Sequence, residues 1–406
     1  MDRKLFLLLV GVLPIMQPSF GAIDGYALAW ADGVFVVLAI VVAISIAVGR
    51  LRIVWTSWNT AVALFVVATV VSAFAATDRR HSLIKAAGTA YLAVLGALSA
   101  HYARQPDMRK PIVLAWLAGT VVTIAACAAG VLLFFADAPS NPFLYGYGSL
   151  PAGPYPRVMG LFVNANMLCS YLGAVGVLAL FAERAGLIRR SVAGPAFVAL
   201  LLTALLTFSP SLGGLALACS LWFAATLPRE HQRRATVIRW GGTAAAVIFM
   251  LAILLSPTML NHAEARAWDA VEPSSRVQTW IDAARVFRDY PWVGAGPGAE
   301  VAHVNYINAS HGYELLTDAH NTWLSVLAHT GMVGFIPFAV ATGMLIARMR
   351  SRLDVTPQGA WRSGLELALL ASLLYPSLSG SFEDSRHVWV LMGMVHAAQT
   401  PALAQE

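Results

Sequence analysis

SPTMLNHAEARAWDAVEPSSRVQTWIDAARVFRDYPWVGAGPGAEVAHVNYINASHGYELLTDAHN, residues 256–321, is a long polar stretch set between apolar runs. It carries Arg266, Arg276, Arg285, Arg288, His303, His311 and His320, side chains that bind anions or move protons. It divides the chain into 1–255, 256–321 and 322–406. The flanking runs predict membrane helices that hold the polar stretch over a cavity at one membrane face.

Composition supports the division. The chain is 58% hydrophobic and 12% charged, with a mean hydropathy of +0.67. A soluble domain carries about 25% charged residues, so the chain reads as an all-α integral membrane protein. Crossing a core of ~30 Å takes ~20 apolar residues in a helix. The long Leu, Ala and Val runs suit helices, not barrel strands, because a helix satisfies its own backbone in lipid. Cys127, Cys169 and Cys219 all fall in apolar runs and read as small core residues, with neither a disulfide framework nor a metal pattern.

About twelve spans are expected: 5–20, 27–48, 58–76, 86–103, 112–136, 158–182, 195–208, 212–227, 241–255, 322–347, 365–378 and 387–398. Arg3 and Lys4 ahead of the first also suit a cleaved signal peptide. With the N-terminus inside, eighteen of the 27 basic residues fall in inner segments. This bias places the polar stretch outside. The outer basic residues are Arg79, Arg80, Lys85, Arg157, Arg266, Arg276, Arg285, Arg288 and Arg386. They run against the usual bias. An anionic ligand explains them, and so does pairing with Asp78, Glu383 and Asp384 or with lipid phosphates. The net charge of +6 sits in short loop clusters, which argues against nucleic acid. No Walker A or Rossmann pattern is present, so ATP-driven chemistry is not expected.

Within the polar stretch, Glu272-Pro-Ser-Ser275 offers a Ser N-cap. The segment 276–288 follows as a helix with Val277, Trp280, Ile281, Ala284 and Phe287 on one face. It is too polar to span and is expected to lie at the interface. Arg276 falls in its first turn, where free amides also favour an anion; an arginine reaching lipid headgroups is the plainer alternative. Val293-Gly-Ala-Gly-Pro-Gly298 permits a tight turn or a close backbone approach. His320 stands where the loop meets the next span. An imidazole there serves as a general base worth typically ~10²–10⁴-fold, with Asp318 to orient it, or simply as a hydrogen-bonded structural group. Asn321 is placed to cap the helix. His303 and His311 are weaker candidates, with no HExxH zinc pattern. Arg157, Asn164 and Asn166 follow a Pro/Gly-rich loop at the edge of another span, and polar groups there usually face a cavity or partner.

The combination of Arg276…Trp280, Pro291-Trp-Val-Gly-Ala-Gly-Pro-Gly298, His320-Asn321…Leu324 and Gly331-Met-Val-Gly334 resembles the shared region of the O-antigen ligase and polymerase superfamily, as does Arg157…Gly160…Asn164-Ala-Asn166. Two positions depart from it. The chain reads Ser209-Pro-Ser-Leu-Gly-Gly214 where members often carry Ser-Arg-Gly, and His329 where many carry an acidic residue.

The resemblance implies an inner-membrane glycosyltransferase of the GT-C type with its active site facing the periplasm and without a cofactor. The donor it implies is a glycan on undecaprenyl pyrophosphate, and the acceptor of a ligase is a sugar hydroxyl of lipid A–core oligosaccharide. His320, Arg276 and Arg157 are then the expected catalytic residues. Arg79, Arg80, Arg285, Arg288, Asn164, Asn166, Asn321 and His311 are the expected substrate-binding residues. A polymerase of the same superfamily, a transporter and a non-catalytic membrane scaffold are the rival readings.

Overall fold

A computed structural model describes residues 1–23, 26–138, 141–144, 156–209, 211–227, 231–255, 275–308, 312–349 and 353–400. In chain order its helices are α1 (Asp2–Val12), α2 (Trp30–Ala47), α3 (Ser57–Ala75), α4 (Arg79–Ala103), α5 (Arg109–Phe135), α6 (Ala165–Arg184), α7 (Arg190–Leu205), α8 (Leu212–Thr226) and α9 (Gln232–Leu255). Then come α10 (Ser275–Asp289), α11 (Thr322–Ala347), α12 (Pro357–Ser379) and α13 (Arg386–Gln399). Among the described residues, α2, α3, α4, α5, α6 and α11 are long and apolar enough to cross a membrane, and α7 and α8 are shorter apolar helices. Large apolar side chains stand exposed along α2 (Val36, Val37, Ile40, Ile44) and α5 (Val121, Val122, Leu132, Phe135). Exposure on that scale is tolerable against lipid rather than water.

Local signals set the helix ends. Thr56, Asp78, Asn164, Asn321 and Thr356 each accept a first-turn amide as side-chain N-caps. The Asp78 cap starts α4 at Arg79, seven residues before the expected span, so Arg79, Arg80 and Lys85 ride on its first turns. The first expected span stops early, at Val12, ahead of Pro14. α6 starts late, at Ala165, and leaves Arg157 in irregular backbone. Two antiparallel hairpins were not expected: β1 (Gly21–Ile23) with β2 (Tyr26–Leu28), and β3 (Val304–Asn308) with β4 (Gly312–Leu316).

Helices pack α3 on α11, α4 on α13 and α6 on α12. A Cβ on Gly393 of α13 would overlap the Gly96 carbonyl of α4. Small residues permit that close approach between helices. The two bundle ends differ in their contacts. At one, Arg3 pairs with Asp107, and Arg362 Nη2 donates to the Arg348 carbonyl at 2.6 Å. At the other, Lys85 pairs with Asp384 at 2.6 Å, and Arg386 grips both Asp32 oxygens at 2.7 and 2.8 Å.

The second end is organised by a break in α11. Gly331 has φ +60° and interrupts the helix. An interrupted helix leaves amides and carbonyls without partners, which is costly away from water. Residues 291–296 supply those partners. The amides of Ala295 and Gly296 donate to the carbonyls of Ala328 and His329, at 2.9 and 3.0 Å. The amides of Met332 and Val333 donate to the carbonyls of Pro291 and Trp292, at 2.9 and 3.1 Å. Ser72 of α3 adds its hydroxyl to the His329 carbonyl at 2.6 Å. A Cβ on Gly294 would overlap the His329 carbonyl, and one on Gly331 the Trp292 carbonyl. The glycine-rich loop is therefore a clasp on the broken helix.

Gly331→Ala is expected to strain the backbone by about 1–3 kcal/mol for the positive φ alone, with the overlap adding to it. Gly343 of the same helix has open space around it, so Gly343→Ala is expected to be neutral. Thermal unfolding of both variants in detergent micelles checks this: a clear drop in Tm for Gly331→Ala only, whereas equal Tm values would remove the clasp from the account.

Candidate functional site

The clasp fixes the approach to α11, and with it His320. This residue has φ +47°, a left-handed conformation uncommon for a side chain-bearing residue. Its neighbours hold it from both sides. Asn321 caps α11, with Oδ1 accepting the amides of Trp323 and Leu324 at 3.1 and 3.2 Å. Ala319 is buried, and its carbonyl accepts the Thr279 hydroxyl of α10 at 3.2 Å.

His320 Nδ1 lies 3.4 Å from Asp318 Oδ2, and the imidazole is 37% exposed. Ser381 Oγ donates to the same Asp318 oxygen at 3.0 Å. Burial raises the pKa of Asp318. The hydrogen bond and charge of His320, then the charge of His329 and the Ser381 hydroxyl, outweigh it and hold the carboxyl below its ordinary range. An ionised Asp318 facing Nδ1 favours the proton on that nitrogen and leaves Nε2 as the acceptor. Such an orientation suits a general base.

Beside this pair lies a carboxyl of opposite behaviour. Thr322 Oγ1 accepts the Phe382 amide at 2.9 Å and ties the turn between α12 and α13 against the start of α11. Phe382 packs on Phe338 and Trp323, with ring centroids 5.6 and 5.8 Å apart. This turn brings Glu383 close to Asp318. Burial, with the charges of Asp384 and Asp318, pushes the Glu383 carboxyl up to about 8. Its Oε2 is buried with no hydrogen-bond partner. The sequence offers Glu383 only as a partner for outer cations. The ion pair actually seen there is Lys85–Asp384.

Arg157 forms a second cluster. It is 5% exposed, its Nε donates to the Thr207 carbonyl at 2.9 Å, and Nη2 reaches Asn166 Oδ1 at 3.4 Å. Ser209 Oγ donates to that Asn166 oxygen at 2.7 Å. Asn164 caps α6 through the Met167 amide at 2.8 Å. The Ser209 segment, which lacks an arginine, thus serves as a hydrogen-bonding brace for Asn166. The two clusters connect through α12: Ser170, one turn beyond Asn166, donates to the Ser372 carbonyl at 3.4 Å, and Thr322 Oγ1 to the Pro376 carbonyl at 3.2 Å.

The other expected residues sit further out. Arg285 pairs with Asp282 at 3.0 Å and Arg288 with Asp289 at 3.3 Å; both are well exposed on α10. Arg79 and Arg80 are exposed on the first turn of α4. Arg276 is the second residue of α10 by its backbone, and its side chain lies outside the described residues, as do His311 and Arg266. His303 faces Glu300 at 3.2 Å on the surface. Among the described residues, no group of His, Cys, Asp and Glu is arranged to hold a metal ion.

Residues 195–339 match the family model described as O-antigen ligase. The match supports an O-antigen ligase-type family assignment and bears out the resemblance drawn from the motifs. It runs from α7 into α11 and includes the clasp and His320, but neither Arg157 nor Glu383. No curated protein matches the chain significantly.

Glu383 gives a pH prediction. Its folded pKa of about 8 lies above the ordinary 4.5. Its stabilising contribution is therefore complete below 4.5 and is lost as pH rises through 8. Glu383→Gln keeps the neutral form at every pH. The variant is expected to match the wild type in Tm near pH 5 and to exceed it at pH 8–9. Parallel Tm-versus-pH curves for the two proteins would refute the assignment.

Proposed function

We propose that this chain, with its O-antigen ligase-type region, is an inner-membrane glycosyltransferase of the GT-C type. It moves a glycan from undecaprenyl pyrophosphate to a sugar hydroxyl of lipid A–core oligosaccharide. The expected twelve spans and the periplasmic placement of residues 256–321 belong to this reading. They are supported by the bias of basic residues toward the other end of the bundle. The observation that carries the reading is His320, set with Nδ1 toward Asp318 and partly exposed.

In this mechanism His320 Nε2 takes the proton of the acceptor hydroxyl as its oxygen attacks the anomeric carbon. The carbon–oxygen bond to the pyrophosphate breaks, and both bonding electrons leave with the phosphate. Attack opposite the leaving group inverts the anomeric centre. Arg157 and Arg276 stabilise the charge that develops on the leaving pyrophosphate. Asp318 orients the imidazole and balances the imidazolium; Ser381 holds Asp318 in turn. Arg285, Arg288, Arg79 and Arg80 meet outer phosphates of donor or acceptor. They form exposed cationic contacts that attract more than they position. Asn164 and Asn321 have spent their carbonyl oxygens on caps, so their amide N–H groups are what remains for a sugar. Asn166 acts by bracing Arg157, and His311 is proposed as a sugar contact.

The test is a transfer assay with purified protein, undecaprenyl-pyrophosphate glycan and lipid A–core, without ATP or divalent metal. A shift of core to a glycan-bearing band is expected. His320→Ala is expected to lower the rate by at least about 100-fold, within the usual range for a general base. Arg157→Gln is expected to be similarly impaired. Elongation of the donor glycan without a core product would identify a polymerase. Absence of both products with intact protein and active donor would return the transporter and scaffold readings.

A further inference from the structure

The bundle end opposite His320 holds a cavity that the transfer reaction does not use. It has a volume of about 470 Å³ and is lined by Thr56, Ser57, Arg348, Arg362, His396 and Gln399, among others. Four helix ends converge on it: the starts of α3 and α12 and the ends of α11 and α13.

The wall is cationic. Arg348 caps the C-terminus of α11, is exposed, and among the described residues its guanidinium makes no ion pair. Arg362 pairs with Glu366 at 2.7 Å. Arg104 stands behind His396, with Nη2 3.4 Å from the imidazole Nε2. Three guanidinium groups thus face one described carboxylate. The first-turn amides of α3, at Ser57 and Trp58, add donors that have no intrahelical acceptor.

Two buried atoms point to a ligand independently of that charge. His396 is 1% exposed and stacks on Trp58 at 5.0 Å. Nε2 is engaged on its own side of the ring, 3.0 Å from Thr56 Oγ1 and 3.4 Å from Arg104 Nη2. Nδ1 is buried and has no partner. Gln399 Nε2 donates to the Leu345 carbonyl and to Glu366, at 3.0 and 3.1 Å, while its Oε1 is buried and unpartnered. Buried polar atoms are nearly always satisfied. The cavity therefore joins an excess of positive charge to two lining side chains, His396 and Gln399, whose hydrogen-bonding capacity is not fully used. Ile346, two residues before Arg348, and Val340 further along α11 are exposed apolar side chains of the bundle.

We infer that this cavity is a binding site for a phosphate group borne on a hydroxylated moiety, as in the glycerol phosphate headgroup of an anionic phospholipid. The arginines and the α3 amides take the phosphate oxygens, and Gln399 Oε1 takes a hydroxyl. The exposed apolar surface of the bundle takes the acyl chain. A soluble glycerol phosphate offers the same polar chemistry without that chain.

The experiment uses the detergent-solubilised full chain and measures binding of dihexanoyl phosphatidylglycerol, glycerol 3-phosphate and dihexanoyl phosphatidylcholine by microscale thermophoresis. Saturable binding of phosphatidylglycerol over phosphatidylcholine is expected. Arg348→Gln and Arg104→Gln are each expected to weaken it at least tenfold, with Arg348→Lys recovering part of the loss. Equal affinity for glycerol 3-phosphate would support a soluble source for the same site; clear preference for the lipid would support the headgroup. Binding left unchanged in both glutamine variants would belong to the arginines at the other end and would overturn the site, as would no saturable binding by wild type. Arg348 lies outside the proposed transfer machinery, so its variants should still run the core-transfer assay. That separates failure of this inference from failure of the functional one.

Discussion

A helix that breaks inside a membrane protein has to find partners for the backbone groups it releases, and at Gly331 those partners come from one loop. Four hydrogen bonds run between residues 291–296 and the two sides of the break. The geometry leaves no room for a Cβ on Gly294 or Gly331, because each backbone lies directly against the other. This mutual fit fixes where α10 ends, since only Tyr290 separates Asp289 from the clasp. It also fixes the direction of the upper half of α11. The left-handed His320, the Asn321 cap and the Thr322 tie to the last turn all hang from that half helix. Tyr290, just before the clasp, and Trp292, within it, are exposed aromatics, a placement that suits the headgroup region of a bilayer.

The resulting site sets two carboxyls in contrast. Asp318 is held ionised by an imidazole and a hydroxyl, whereas Glu383 is held neutral by burial and by neighbouring negative charge. Each state supports the other, since an ionised Glu383 would repel Asp318. Titratable groups whose environments push them apart are a recurring arrangement where proton transfer occurs. Here the ionised member orients the histidine. The neutral member limits the negative charge gathered beside the Lys85–Asp384 pair and the imidazole.

Much of the architecture is legible in the sequence because it depends on short-range signals. Apolar runs locate the helices to within several residues. Thr56, Asp78, Asn164 and Asn321 then set their true starts by capping, which hydropathy does not weigh. The helix α10 was visible from its apolar face and the turn at 289–291. The hairpin of β3 and β4 was not, because its strands are short and its pairing is between main-chain groups. The glycine run was visible, but its role was not. Only the three-dimensional neighbour shows a close approach to Ala328–Thr330. Glu383 was unreadable for the same reason: its raised pKa comes first from burial, then from Asp384 beside it and Asp318, 65 positions away in sequence. His320 was legible because its chemistry and its helix-start position lie within four residues.

The arginines divide by rigidity. Arg285 and Arg288 reach carboxylates three and one residues away and are mostly in solvent. Such pairs are worth little and rearrange readily. Arg157 is buried, and two of its nitrogens are held by oxygen acceptors on two different segments, one of them braced by Ser209. Stabilising a leaving phosphate needs a donor already in place before charge develops, because reorganising a side chain during the reaction would cancel the gain. A buried, doubly held guanidinium meets that need, and a flexible surface arginine does not. In the proposed transfer, the outer arginines on α10 and α4 therefore draw a polyanionic lipid toward the bundle, and Arg157 is the residue whose position that step depends on.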